Sequence, residues 1–320
     1  MIKIKFENLL VSIVVSVVVF FNTISTTMLD RTFFQVKVNF LFLIVLLLGL
    51  RFLYKMRVSY KYLILSILLL LSGVLVYFQT NRLNFLVYSM LLVLLVNVDM
   101  KVVLRNYVVV AGILVVGVFL LSLVGIVPNL QYNRAGVIRN SFGFIYPTDF
   151  ASHCFYLFLA ISYLLKDKFI WTRSLFGVLL SAFIIKYCDA RLNALSILLA
   201  TVIFIYFYYS KEKKLKIFAL FPYSAVVFAS IVTYLSYKFS WSNPFLVSVN
   251  KLITGRLALG RNAFDTFGVH LFGTRNVQFI GSGGKTESVI GYNYVDSSYV
   301  QMLFTYGIVP VVLLIIIYVV

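Results

Sequence analysis

Apolar runs of near-membrane length recur along almost the whole of this chain, each bounded by charged or polar residues. No other feature constrains the fold as strongly. A backbone placed in lipid must satisfy its own N–H and C=O groups, which leaves only helices and closed barrels. Barrel strands alternate apolar and polar residues over segments of about ten residues. Runs such as 40–50 do not alternate. The expectation is therefore an all-α polytopic membrane protein. Its 62% hydrophobic and 12% charged residues fit that reading and not an ordinary soluble domain.

A net charge of +18 would suggest nucleic acid in a soluble protein. Here the lysines and arginines cluster between apolar runs, as cytoplasmic connectors of membrane proteins do. No nucleic-acid partner is expected. Cys154 and Cys188 are isolated and read as buried thiols rather than a disulfide framework. The only histidines are His153 and His270, too few for a multi-histidine metal site. No cofactor is expected.

About ten transmembrane helices are expected, at roughly 9–28, 38–54, 60–78, 83–98, 106–127, 150–165, 174–188, 194–209, 217–236 and 298–320. Together they make 1–320 a single integral membrane domain. The first run follows Lys3 and Lys5 but lacks a small-residue cleavage signature, so it reads as a retained helix and not a signal peptide. The last run reaches Val320 without a charged flank, so either the protein stops there or further spans have been lost.

Positive residues in alternate connectors set the orientation. One set includes Lys55, Arg57, Lys101, Arg105, Lys166, Lys168 and the lysines of 211–216, close to helix ends in short loops. The other set is similar in number, but almost half of it lies in the single long interval 237–297. Short loops carry the weight of the positive-inside rule, while long loops translocate despite their charge. The N-terminus is therefore expected in the cytoplasm and 237–297 outside, as a large extracytoplasmic loop before the last span. Arg134, Arg139, Arg191, Arg256, Arg261 and Arg275 then lie on the side the rule disfavours. Binding an anion near the outer leaflet is the simplest reason to keep them, and the guanidinium fork suits phosphate oxygens.

Each polar position has a structural reading beside the functional one. Thr148 or Asp149 caps a helix starting near Phe150, or Asp149 binds a sugar hydroxyl. His153 is a structural histidine. Asp189 and Arg191 form a local ion pair, or Arg191 faces a central cavity. Residues 254–268 read as a helix capped by Thr254, with Arg261 and Asp265 at i,i+4 spacing. Its Leu257, Phe264 and Phe267 rest on the bilayer surface, or its first turn joins Arg256 in binding phosphate. Gly281-Ser282-Gly283-Gly284-Lys285-Thr286 lacks P-loop spacing and reads as a flexible cover. Asp296 caps the last span, or serves as a base that takes a proton from an attacking hydroxyl. Tyr299 lies in the same region.

The order of these features resembles the Wzy-type bacterial polysaccharide polymerases, within the O-antigen polymerase and ligase superfamily. The resemblance covers roughly 130–310. Ser141-Phe142-Gly143-Phe144-Ile145-Tyr146-Pro147-Thr148-Asp149 is similar to the family's Gly-Phe-x-His-Pro-Asn segment, with Tyr146 at the histidine position and Thr148 at the asparagine. Asp189-Ala190-Arg191 resembles a Ser-Arg pair, matched only at Arg191. Gly255-Arg256-Leu257 followed by Leu271-Phe272-Gly273 resembles elements of the large outer loop. Asp296-Ser297-Ser298-Tyr299 and Tyr306-Gly307-Ile308 resemble the closing motifs, with Ser297 replacing asparagine.

The resemblance implies a metal-independent glycosyltransferase of capsule or exopolysaccharide synthesis in the bacterial cytoplasmic membrane. Its substrate would be an undecaprenyl-pyrophosphate-linked oligosaccharide together with the growing glycan. A flippase and a chain-length regulator would be its partners, besides the lipid bilayer. Arg191 and Arg256 would hold the pyrophosphate, with Arg139, Arg261 or Arg275 assisting. Asp296, or alternatively Asp149, would accept the hydroxyl proton, and Tyr299 would line the site. A ligase moving a finished glycan to another acceptor would use the same donor chemistry. A transporter or flippase of lipid-linked oligosaccharide is the other class, against which stands the lack of an internal repeat.

Overall fold

A computed structural model describes residues 2–29, 60–134, 136–166, 168–210, 220–281 and 291–319. The expected span 38–54, the lysine connector 211–216 and most of the glycine-rich cover fall outside the described residues. The chain is mostly helical, a multi-span membrane protein. Among the described residues, five helices are long and apolar enough to cross a membrane: Tyr60–Thr80 (α2), Met100–Leu123 (α4), Pro147–Leu165 (α5), Ile170–Cys188 (α6) and Arg191–Ser210 (α7). Shorter apolar helices are Asn84–Leu95 (α3), Ile308–Val319 (α12) and the apolar part of Ile2–Ile24 (α1). Phe221–Lys238 (α8), Pro244–Leu252 (α9), Arg256–Phe267 (α10) and Ser298–Tyr306 (α11) are the other helices among the described residues. A two-stranded antiparallel hairpin, Gln131–Arg134 (β1) and Val137–Asn140 (β2), was not apparent in the sequence.

The chain forms two compact units. The first holds α1, α4, the hairpin and α5 to α7. Its core is built from Ala111, Val115, Phe144, Phe150, Ile184 and Ile197, with Ala194 and Ala200 between them. Small residues let α6 and its neighbours close up. A Cβ on Gly177 would lie 2.5 Å from Thr201 Oγ1 and 2.8 Å from the Phe158 ring. Ser181 Oγ donates to the Ala194 carbonyl at 3.0 Å. Such contacts suit helices that must associate in lipid, where apolar burial between helices gains little. The opposite faces, with Ile113, Leu192, Leu195 and Val202 exposed, are the surface a bilayer would cover.

Several helix limits differ from expectation for local reasons. α4 starts at Met100, not near 106, because Asp99 caps it by accepting from Lys101 N at 3.0 Å. It ends at Leu123, before Pro128, in a turn through Gly125. α5 starts at Pro147, whose missing N–H costs nothing at a first helical position.

The second unit holds α2, α3 and α8 to α12. α10 packs on α8, where a Cβ on Gly260 would meet Ser236 Oγ at 2.7 Å. The expected span 298–320 is two helices, because it breaks at Gly307, with φ of +93°. The segment 270–274 fills the break. Ile308 N donates to the His270 carbonyl, Val309 N to that of Leu271 and Thr274 N to that of Phe304, at 2.9–3.1 Å. The backbones meet so closely that a Cβ on Gly307 would lie 2.3 Å from Gly273 N. Two of the sequence motifs, Leu271-Phe272-Gly273 and Tyr306-Gly307-Ile308, are thus one structural joint.

Candidate active site

In the first unit the polar residues gather where α1, α4 and α6 end and α5 and α7 begin. Residues 26–28 bond to 143–145, with Met28 N donating to the Gly143 carbonyl at 2.9 Å and Ile145 N to that of Thr26 at 2.8 Å. The hairpin closes over the end of α6. Arg139 Nε donates to the Cys188 carbonyl at 2.9 Å, and Asn140 Nδ2 to that of Tyr187 at 3.4 Å. A cation at a helix C-terminus satisfies an orphan carbonyl and opposes the helix dipole. Arg139 is therefore tied into the fold by its Nε. Burial, and then Arg134 nearby, lower its pKa.

Asp189 ends α6 in the left-handed region, at φ 44°. It is buried, and its Oδ1 accepts from Arg191 Nε at 2.8 Å. This is the local ion pair. The Arg191 side chain is 78% exposed rather than turned into a cavity of its unit, and it presents its remaining donors to solvent. Asp149 does not cap α5. It sits in the first turn, the N-cap position belongs to Tyr146, and no side chain caps there. Among the described residues Asp149 makes no ion pair. His153 Nε2 lies 2.9 Å from Thr26 Oγ1, which fits the structural reading. Tyr132 donates its hydroxyl to the Ile145 carbonyl at 2.6 Å. Burial first, then Tyr146 and Asp149, push its pKa up to about 12.

In the second unit α10 carries two arginines with opposite situations. Arg261 is closed. Its fork meets Asp265 at 2.8 and 3.0 Å, and its third nitrogen donates to the Tyr237 carbonyl at 2.5 Å. The expected i,i+4 pair is thus present, and it leaves this guanidinium few free donors. Arg256 is open. Its Nε lies 3.4 Å from Asp296 Oδ2, with the two side chains 40% and 41% exposed. The Nε itself is sheltered and makes no hydrogen bond, so the contact is an ion pair of loose geometry. Asp296 therefore faces Arg256 and does not cap the last span, whose N-cap residue is Ser297.

Two further expectations for α10 are corrected. Thr254 does not cap it. Gly255 holds the N-cap position in the left-handed region, at φ +86°, and the buried Asn250 of α9 supplies the acceptor. Its Oδ1 accepts from Leu257 N at 3.0 Å and Ala258 N at 3.1 Å. Those N–H groups are not available to a phosphate. The apolar face of α10 does not rest on a bilayer surface. Leu257 is fully buried with Phe239 and Leu246. Phe264 and Phe267 pack on Phe304, at 4.9 and 6.1 Å between ring centroids. Tyr299 packs against the buried cluster that includes Ala263, Val300 and Phe304. Arg275 is exposed in a turn and, among the described residues, forms no ion pair.

Among the described residues no group of three or more His, Cys, Asp and Glu side chains converges as a metal site would require. Comparison of the chain with models of protein families, with curated proteins and with solved structures finds no match in any of the three.

Proposed function

We propose that this chain is a polysaccharide polymerase of the Wzy type. In this reading it has about ten spans, a cytoplasmic N-terminus and an extracytoplasmic 237–297. It joins undecaprenyl-pyrophosphate-linked repeat units on the outer side of the cytoplasmic membrane. The observation that carries the reading is the Arg256–Asp296 pair. It sets an anion-binding group beside a proton acceptor, both reachable from solvent, in a chain with only 12% charged residues. Its looseness at 3.4 Å, against 2.8 Å for Arg261–Asp265, lets a ligand displace one partner from the other.

The chemistry follows. Oxygens of the lipid pyrophosphate take the Arg256 guanidinium, which frees the Asp296 carboxylate. An acceptor sugar hydroxyl then attacks the anomeric carbon of the lipid-linked glycan and gives its proton to Asp296. The C–O bond to phosphate breaks, and the lipid pyrophosphate leaves with the electron pair. Arg256 stabilises the charge that develops on it. Direct displacement inverts the anomeric carbon. The exposed Arg275 of the same unit adds to the positive potential that attracts the anionic headgroup. Arg139 and Arg261 support the fold instead.

The test is incubation of the purified protein with a defined lipid-linked repeat unit as sole substrate. A ladder of products is expected. Transfer only after a different acceptor is added would indicate a ligase, and movement across vesicles without any new glycosidic bond a flippase.

A further inference from the structure

An open cleft of about 680 Å³ lies on the second unit between the end of α8 and one face of α10. The proposed chemistry does not use it. Its lining is unusual for a membrane chain, since it joins two exposed aromatic rings to a dense set of polar groups. Tyr237 is 49% and Trp241 72% exposed. Trp241 stands edge-on to the buried Phe239, with centroids 5.1 Å apart and planes at 80°. Phe239 is anchored with Leu246 and Leu257, so the indole is braced from the core.

On the polar side an ion pair is held in place. Arg261 and Asp265 form a two-pronged pair, and Arg261 is also bonded to the Tyr237 carbonyl. Asn262 is exposed beside them, and Ser240 and Ser242 contribute hydroxyls. Ser240 Oγ accepts from Ser242 N at 3.2 Å, which orders the turn that carries Trp241.

We propose that this cleft binds a pyranose ring of a glycan. A sugar presents two chemistries: an apolar C–H face that stacks on an aromatic ring, and equatorial hydroxyls that both donate and accept. Rigid aromatic rings offer contact area at low entropic cost. Asn262, Ser240 and Ser242 supply donors and acceptors, and the fixed Asp265 carboxylate adds acceptor lone pairs beyond those that Arg261 uses. An aromatic anchor for the bilayer interface would explain Trp241 and Tyr237, but would not call for Asn262, Asp265, Ser240 and Ser242 around them. The inference rests on the polymerase reading only for the glycan being a substrate. The cleft then holds a sugar of the growing chain or of the incoming unit, apart from the pyrophosphate.

The chain has two tryptophans, Trp171 and Trp241. Trp171→Phe therefore leaves Trp241 as the sole indole reporter. This variant in lipid nanodiscs is titrated with chitotriose, maltotriose and trigalacturonic acid, and Trp241 emission is recorded. A saturable change with at least one of them, in the millimolar range, is expected. Adding Asn262→Ala should weaken it by about five-fold, the loss expected from one hydrogen bond. No saturable change with any probe would overturn the proposal, as would binding that Asn262→Ala leaves unchanged. Quenching of Trp241 by brominated lipid chains without a sugar response would make it a bilayer anchor and also overturn it. The assay needs no turnover. Sugar binding without a ladder would refute the polymerase reading alone, and a ladder without a Trp241 response the cleft alone.

Discussion

Asn250 Oδ1 lies 3.0 Å from the backbone nitrogen of Leu257 and accepts its hydrogen. A buried side chain of α9 thus holds the first turn of α10, where Arg256 begins the helix. Asn250→Ala leaves the N–H groups of Leu257 and Ala258 without that acceptor. Loss of such a cap costs about 1–2 kcal/mol. We expect a lower unfolding temperature in detergent, together with a loss of glycan polymerisation larger than the stability change explains, because Arg256 is no longer held opposite Asp296.

Gly273 and Gly307 should tolerate no side chain. Their φ values are +88° and +93°, and a Cβ on Gly273 would lie 2.5 Å from the Thr305 carbonyl oxygen. Alanine at either position separates two backbone segments as well as straining φ. We expect both variants to lose the folded protein on size-exclusion chromatography. Gly125→Ala is the control. Its φ is +77° but nothing lies within 4 Å, so it should show only the backbone strain of about 1–2 kcal/mol.

Arg261 and Arg256 should separate stability from activity. Arg261 ties α10 to the end of α8 through the Tyr237 carbonyl, whereas Arg256 makes one loose ion pair. Arg261→Ala should lower thermal stability measurably. Arg256→Ala should shift it by no more than about 0.5 kcal/mol, the size of an exposed ion pair. Thermal unfolding of the two variants side by side checks this, and the reverse order would refute the assignment.

Much of the fold was legible because membrane helices declare themselves by composition. The run 60–78 became Tyr60–Thr80, and 194–209 became Arg191–Ser210. What was hidden depends on contacts distant in sequence. Gly307 lies in an apolar run on both sides, so hydropathy reads through it. The break exists because the backbone of 270–274 docks there. The hairpin strands are four residues each, too short for alternation to register. Asn250 caps from the preceding helix, while a local rule pointed to Thr254. At the site, Arg261–Asp265 was readable from i,i+4 spacing. Arg256–Asp296 was not, since only the fold brings those two together.

Tyr132 gives a pH signature in the first unit. Its pKa is raised from 10.0 to about 12, so the fold favours the neutral phenol. The sign follows from linkage: the stabilisation is complete below pH 10 and is lost as pH rises toward 12. Tyr132→Phe forfeits the hydrogen bond to Ile145, about 1 kcal/mol at neutral pH. The gap in unfolding temperature between wild type and this variant should hold up to pH 10 and narrow above it. A gap independent of pH would show that the Tyr132 environment is solvated.

The central claim is that Arg256 and Asp296 act on a lipid-linked glycan. It is tested most directly by polymerisation of a defined undecaprenyl-pyrophosphate-linked repeat unit by purified wild type, Arg256→Ala, Arg256→Lys and Asp296→Asn. The account predicts a product ladder from wild type only. Single units should persist with Arg256→Ala and Asp296→Asn, and Arg256→Lys should extend poorly because it loses the two-pronged geometry. Ladders of normal length and yield from folded Arg256→Ala or Asp296→Asn protein would contradict it.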